Sequence, residues 1–135
     1  MKGITNAQNG GGTRRVTLWT NDSPQSDFAA QYVNLSESLD NYDSFQVEYL
    51  WDKGNANSTF IQEFSHIGYG EDDTIAIYIP FVVNASGYFR ISFRRLSAVN
   101  ATKIHFKDNS LMNTSSTVTT DNTRCIPCKI YGVKY

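Results

Sequence analysis

Strand-like runs of residues occupy both ends of this chain. Residues 15–21 are Arg-Val-Thr-Leu-Trp-Thr-Asn, and residues 125–135 continue β-type side chains to the last position, Tyr135. Chain ends fray unless a sheet or a docking surface holds them, so we expect both runs to be paired strands. No stretch between them has a convincing helical period. The sequence therefore predicts an all-β fold that uses both of its ends in a sheet.

Apolar and polar residues also alternate in several runs between the two ends. The clearest run, residues 44–51, carries its apolar side chains on one face: Phe45, Val47, Tyr49 and Trp51. Residues 74–83 are apolar on both faces, as in a central strand covered on both sides, with Pro80 marking a bulge or an edge. In residues 14–20 the alternation places Leu18 and Trp19 on opposite faces. These runs predict an antiparallel β-sandwich, jelly-roll-like, with about eight strands.

The length and charge indicate one domain without a strong electrostatic preference. At 135 residues the chain can bury a core, and we predict a single sandwich domain over residues 13–135 after a flexible Gly-rich arm over residues 1–12. A net charge of −1 does not favour nucleic acid or an anionic membrane as a partner. Arg90, Arg94 and Arg95 are interpreted as a local basic face, on a solvated sheet edge or in a salt bridge between subunits.

No targeting or membrane segment is recognisable. Residues 1–12 lack the apolar core of a secretory signal, and no apolar run reaches the ~20 residues of a membrane span. Charged residues are only 19% of the chain, so Ser, Thr and Asn solvate the surface, as is common in extracellular and virion β-proteins. We expect a protein that works in the cytoplasm, or one that leaves the cell by a route needing no signal, such as an assembled virus particle.

Cys125 and Cys128 form a C-x-x-C pattern, which invites a redox or zinc interpretation. Their flanks are strand-like, whereas a redox pair begins a helix that lowers the thiol pKa. Zinc needs four ligands, and His66 and His105 lack the close spacing of a zinc finger. Residues three apart in a strand point to opposite faces, which also argues against a disulfide. We interpret the pair as small semi-buried side chains and predict no metal and no cofactor.

Catalytic patterns are also lacking. Glu71, Asp72 and Asp73 form one acidic cluster in a Gly-containing loop, which could hold Ca²⁺ but has no EF-hand spacing. No two carboxylates are placed for glycoside hydrolysis, and no G-x-S-x-G occurs. The sequence therefore predicts a protein that is not an enzyme.

The aromatic surplus, 13% of the chain, indicates a binding role. Sugar-binding sandwiches use exposed Trp and Tyr as platforms, with Asn and Asp supplying hydrogen bonds. We predict two candidate ligand sites: one is Trp51 with Asp52, Asn55 and Asn57, and the other is His66 and Tyr69 beside Asp72 and Asp73. The alternative is that Trp51 completes the apolar stripe of residues 44–51 inside the core.

Two stretches of the chain resemble a known family. Residues 17–35, TLWTNDSPQSDFAAQYVNL, are similar to an "LWTN-x-S-P-x-x-x-F-A-A-Q" opening that a later "L-x-x-Y-D" follows, here at Leu39, Tyr42 and Asp43. Residues 122–134, NTRCIPCKIYGVK, are similar to a closing "IP-x-x-IYGIK" strand. Together they resemble small β-sandwich domains of tailed-bacteriophage fibre and minor structural proteins, of head-fibre or tail-appendage type. The chain departs from that pattern by placing cysteines around its Ile-Pro.

This resemblance implies a virion protein assembled in the host cytoplasm, a homotrimeric subunit of a head or tail appendage. It transfers no catalytic residues and no sugar site. We interpret the chain as contributing to attachment to the host surface or its glycans, with residues 1–12 contacting other virion proteins, and we expect no nucleic acid and no membrane insertion. A purely structural head-fibre or decoration subunit is one alternative, and a detached bacterial carbohydrate-binding module is another. A receptor-binding version is expected to expose an aromatic, Asn- and Asp-lined patch near Trp51 or Tyr69, whereas a structural version buries it between subunits.

Overall fold

The computed structural model describes residues 12–54, 59–65, 68–82, 89–114 and 117–135. Nine strands and one short 3-10 turn, Leu39–Asn41, make up the regular structure of these residues. The strands are β1 Arg14–Thr20, β2 Gln31–Asn34, β3 Ser44–Asp52, β4 Thr59–Ser65, β5 Thr74–Val82, β6 Phe89–Asn100, β7 Lys103–Asn113, β8 Val118–Thr120 and β9 Arg124–Lys134. No helix within these ranges is long and apolar enough to cross a membrane.

The strands form two antiparallel sheets, which confirms the predicted antiparallel β-sandwich. Sheet one has the order β1-β9-β3-β4, and sheet two has the order β2-β7-β6-β5 with β8 also paired to β7. The two chain ends pair with each other, from Lys134 opposite Arg14 to Lys129 opposite Thr20. Strands distant in sequence therefore meet at one side of the sandwich, where β9 lies between β1 and β3. The pairs β3–β4 in sheet one, and β5–β6 and β6–β7 in sheet two, join strands that follow each other in the chain.

The core lies between the two sheets and follows the alternation of the strands. Val47 and Ile130 face inward from sheet one, and Leu96, Ile104 and Phe106 face inward from sheet two, all fully buried. Burying each such side chain stabilises the fold by about 1.5–3 kcal/mol. The apolar stripe predicted for residues 44–51 therefore does form the inner face of β3.

Strand β5 does not have the central position predicted for residues 74–83. It is an edge strand of sheet two, and Tyr78 on its outer face is 51% exposed while its neighbours Ile77 and Ile79 are buried. An edge position also accommodates Pro80, which has no N–H to donate to a further strand. The prediction was wrong because an apolar outer face resembles a buried one in sequence.

A β-bulge in β1 overturns the expected alternation of Leu18 and Trp19. Ile130 on β9 is opposite Trp19, while Tyr131 is opposite Thr17, so Leu18 is an extra residue in β1. Bulges of this kind redirect the side chains that follow them. Leu18 is buried, and Trp19 also packs against the core instead of pointing to the opposite face.

Candidate functional site

A cavity of about 330 Å³ lies where the chain passes from β1 in sheet one to β2 in sheet two. Its lining comes from the end of β1, the connecting loop and the start of β2. The lining residues that matter for its chemistry are Trp19, Asn21, Asp22, Asp27, Phe28 and Gln31. It is built from the LWTN stretch on which the family resemblance rests.

Trp19 supplies the aromatic wall of this cavity. Its ring meets Phe28 edge-on, with 6.2 Å between ring centres, and lies 5.9 Å from Phe106. Phe28 and Phe106 are buried and contact each other at 5.5 Å. The indole is only partly buried, so these two rings fix its position while part of its surface faces the cavity.

Asn21 anchors the loop to β9 with both its backbone and its side chain. Its N–H donates to the Cys128 carbonyl at 2.8 Å, and its Nδ2 donates to the Pro127 carbonyl at 2.8 Å. Its Oδ1 accepts the N–H of Ser23 at 2.8 Å, which closes the turn. Asparagine is favoured in turns for this ability to bond neighbouring backbone.

The far end of the loop is anchored to sheet two. The N–H of Phe28 donates to the Asn122 carbonyl at 3.0 Å, and the N–H of Ala30 donates to Asp108 Oδ1 at 2.9 Å. The Asn122 side chain donates to the same Asp108 oxygen at 2.9 Å. The bond from Ala30, followed by that from Asn122, lowers the pKa of Asp108. The loop is therefore fixed at both ends, so the cavity is preformed.

Arg94 lies beneath Phe28 and joins the two sheets. The side chain of Arg94 is fully buried, and its Cζ lies 5.2 Å from the centre of the Phe28 ring. It donates to the carbonyls of Cys125 at 3.0 Å, Lys107 at 2.7 Å and Arg124 at 3.1 Å. Burial lowers the pKa of Arg94 to about 10, so it remains charged at neutral pH. Its assignment to a solvated or intersubunit basic face was therefore wrong.

Ser92 and Asn109 extend this buried polar cluster. Asn109 Nδ2 donates to Ser92 Oγ and to the Asp121 carbonyl, each at 2.9 Å. Ser92 Oγ lies 3.5 Å from the Cys125 thiol. Asn109 Oδ1 is buried and accepts no hydrogen bond from any residue that the structure describes. The inner face of β6 is polar here because it supports the corner that carries the cavity.

Both cysteines are free thiols in a structural setting. Burial raises the pKa of Cys125 to about 11 and the pKa of Cys128 to about 11, so neither is a thiolate at neutral pH. The backbone of Cys125 has a φ of +47°, in a region that non-glycine residues rarely adopt. Its carbonyl accepts the Arg94 hydrogen bond from that conformation. Within the described ranges, no group of three or more His, Cys, Asp or Glu is placed to hold a metal ion.

The polar rim of the cavity carries two carboxylates in different states. Asp27 forms an ion pair with Lys53, with 2.6 Å between Oδ1 and Nζ. Asp22 is exposed, and its carboxylate accepts no hydrogen bond and forms no ion pair with the described part of the chain. Gln31 is also exposed, and its Nε2 donates to the Ala29 carbonyl at 3.0 Å. The rim can therefore accept hydrogen bonds from a ligand.

Those predicted site residues that the structure describes lie elsewhere and do not line this cavity. Trp51 ends the inner stripe of β3 and packs, partly buried, against the core, as the alternative interpretation expects. The hydroxyl of Tyr69 donates to Asp40 Oδ1 at 2.6 Å, and burial followed by that bond raises the pKa of Tyr69 to about 12. Asp72 and Asp73 lie in the exposed turn before β5. Asn55, Asn57 and His66 lie outside the described residues.

The acidic cluster is divided, because Glu71 turns to the outer face of sheet two. Glu71 accepts hydrogen bonds from Tyr32 at 2.7 Å and Ser97 at 3.3 Å, and its Oε1 lies 3.0 Å from His105 Nδ1. The bond from Tyr32, followed by that from His105, lowers the pKa of Glu71. Tyr32 and His105 are paired across β2 and β7, and their rings stack at 4.0 Å. This arrangement orders the loop before β5.

A second surface feature results from the polar inner face of β6. Because Ser92 and Arg94 face the core, the apolar residues that alternate with them, Ile91 and Phe93, face outward. Register pairs across β5 to β8 place apolar side chains together in two rows: Pro80, Ile91, Met112 and Val118, and Tyr78 with Phe93. We call these six residues the apolar outer face of sheet two.

The sequence did not identify Trp19 as a site residue, because its alternation concealed the bulge at Leu18. The available signal was the turn-forming NDSPQ segment that begins two residues after Trp19, since binding residues are disproportionately found on loops. A comparison with models of known protein families finds no match to this chain. A comparison with curated protein sequences also finds no match.

Proposed function

We propose that the chain is a structural protein of a bacteriophage virion, a subunit of a head or tail appendage that contributes to attachment to the host surface or its glycans. The observation that carries this proposal is the meeting of the two stretches that resemble the phage family. Residues 17–35 and 122–134 are far apart in sequence, yet they bond directly, through Asn21 to Pro127 and through Phe28 to Asn122. The two stretches that resemble the phage family therefore lie together at one corner of the molecule. This supports a role shared with that family.

That corner also has the form of a binding site. Loops held on a rigid scaffold are the usual place for recognition, and ligand sites are typically concave with a few placed polar groups. The preformed cavity beside Trp19 has both properties. This supports attachment over a role in which the subunit only fills a place in the particle.

The apolar outer face supports self-association of the chain, and the family resemblance supplies the number of three copies. Soluble monomers rarely expose large contiguous apolar patches, and such patches mark interaction surfaces. Tyr78 is 51% exposed and Val118 is 55% exposed at opposite sides of this face. A second and third copy of the chain, related by closed rotational symmetry, would bury it.

In this proposal residues 1–12 bind a neighbouring virion protein, and the chain carries out no reaction. A head-fibre or decoration subunit without a receptor is the second candidate, favoured by the same apolar outer face. This second candidate differs from the proposed function in one respect: the cavity beside Trp19 binds no ligand. A detached carbohydrate-binding module would be a monomer that binds sugar.

Light scattering in solution tests the assembly on the full chain and on a chain lacking residues 1–12. We expect a particle of about three times the 15.2 kDa of one chain in both cases, because the proposed interface lies on sheet two. A trimer only with the arm present would move the interface to residues 1–12. A monomer in both samples would contradict the appendage role and favour the detached module.

A further inference from the structure

We propose that the cavity beside Trp19 binds one pyranose ring of a neutral carbohydrate. The inference rests on the proposed attachment role and deepens it, since it names the site and the class of ligand. In this arrangement the C–H face of the sugar lies against the exposed part of the Trp19 ring. Its hydroxyls donate to the Asp22 carboxylate and exchange hydrogen bonds with Gln31.

The size of the cavity fits one ring and not a long chain of sugars. Its volume is about 330 Å³, near the lower end of the roughly 300–1,000 Å³ that small-molecule pockets occupy. The wall is aromatic and the rim is polar. A sugar ring is amphipathic in the same sense, because its ring carbons form an apolar face and its hydroxyls surround that face.

The charges of the lining select against other ligand classes. Among the described residues that line the cavity there is no lysine or arginine, while Asp22 and Asp27 are both present. A phosphate or an acidic sugar would therefore meet carboxylates without a free cation, because Lys53 is already paired with Asp27. A purely apolar ligand would bury the polar rim without hydrogen bonds, which is unfavourable.

A cationic amine is the remaining competitor, since a carboxylate and an indole also suit a cation. The rim favours the sugar because it offers more than negative charge. Gln31 and Ser26 add an amide and a hydroxyl at the same opening. Such groups both donate and accept, which matches hydroxyls and is not needed by an ammonium.

The cavity also has the rigidity that weak sugar binding requires. Ordering a loop on binding reduces affinity, and a preformed site avoids that loss. Here the loop is held by Asn21 to β9 and by Phe28 to Asn122, before any ligand arrives. The unsatisfied Asp22 carboxylate is then presented from a fixed backbone.

Titration of the full chain with neutral sugars tests the inference. The chain contains two tryptophans, so Trp51→Phe leaves Trp19 as the only indole reporter. In that background we follow tryptophan fluorescence and saturation-transfer NMR with methyl α-glucopyranoside, methyl β-galactopyranoside and N-acetylglucosamine. We expect saturable binding of at least one of them, with millimolar affinity.

Two variants outside the core locate the binding. Asp22→Asn keeps the shape of the side chain and removes its charge, and we expect about tenfold weaker binding, equivalent to one lost hydrogen bond to a charged group. Gln31→Ala is expected to weaken binding in the same direction. Glu37→Gln is the matched control, an exposed acid that does not line the cavity, and should bind sugar as the parent does.

Several results would overturn the inference. These are no saturable binding of any neutral pyranoside, equal binding by parent and Asp22→Asn, or binding of choline chloride without binding of the sugars. The result is separable from the appendage role, because light scattering reports that role independently. A trimer that binds no sugar overturns only this inference, whereas a sugar-binding monomer overturns the appendage role and keeps the site.

Discussion

Gly132 shows how a single missing side chain fixes the packing of the closing strand. A Cβ at Gly132 would lie 2.6 Å from Cγ and Cδ2 of the Tyr42 ring, which packs directly on the backbone of β9. Tyr42 cannot move away freely, because its hydroxyl donates to Glu37 at 3.0 Å and the N–H of Asp43 donates to the Val133 carbonyl at 2.8 Å. The residue is thus required for close approach and not for an unusual φ.

We therefore expect Gly132→Ala to destabilise the fold by about 1–3 kcal/mol, the usual effect of overpacking. Urea unfolding with an unchanged m-value measures this difference. Gly54→Ala is the control, since the nearest atom to a Cβ there is Asp52 Oδ1 at 3.6 Å, an ordinary contact. Equal stabilities of the two variants would show that the Tyr42 ring moves away from the added methyl group without a loss of stability.

At the scale of single residues, the sequence was a good guide to which side chains are buried. It was a poor guide to which side chains form a site. Val47 and Tyr49 lie in the core as their alternation predicts. Trp19 lines the cavity only because the bulge at Leu18 turns it inward, and one extra residue in a ladder leaves no mark in a local pattern. Exposed aromatic residues in loops, such as Tyr69, were equally plausible platforms from sequence alone.

Between elements, Arg94 is the main polar connection of the two sheets. It extends from β6 in sheet two to two carbonyls of β9 in sheet one, and to one carbonyl of β7. Lysine cannot replace the planar fork of arginine at three acceptors. Its replacement by lysine leaves at least two of the Cys125, Arg124 and Lys107 carbonyls without this donor, and these bonds are buried or partly buried.

We expect Arg94→Lys to lower the free energy of unfolding by about 2–4 kcal/mol, because each buried acceptor left unsatisfied costs about 1–3 kcal/mol. Arg95→Lys is the matched control on the exposed face of the same strand, with an expected change within about 0.5 kcal/mol. Chemical denaturation of the parent and of the two variants measures the three free energies of unfolding. Equal stability of the two variants would mean that water replaces the Arg94 bonds without penalty.

The existence of the strands was predicted from sequence, but the faces of β6 were not. Its alternating apolar residues, Ile91 and Phe93, lie outward, and the polar Ser92 and Arg94 lie inward. Alternation shows that two faces differ and does not say which of them is buried. That choice depends on partners in β9, whose carbonyls at Arg124 and Cys125 are 30 and 31 residues from Arg94, so a local pattern could not supply it.

On the scale of the whole molecule, the strand signals at both chain ends predicted that each end is a strand of a sheet, but not that the two ends pair with each other. The order of the strands within each sheet was not predictable either, since it follows from contacts between distant segments. The edge position of β5 is the clearest example. The same arrangement leaves sheet two with a mixed outer surface, polar around Tyr32 and His105 and apolar from Pro80 to Val118.

That apolar outer face leads to a test of how the molecule assembles. Val118→Glu and Tyr78→Glu each place a charge on it at a side chain that is already more than half exposed, so the fold should tolerate them. Burying an unpaired carboxylate between subunits is strongly unfavourable, so for the proposed homotrimer we expect both variants to sediment as monomers and the parent to sediment as a trimer. Ile61→Glu is the control, since Ile61 is 49% exposed on sheet one and its substitution should leave the trimer intact. Trimers that persist in both sheet-two variants, with the Ile61 variant monomeric, would transfer the interface to the edge strand β4.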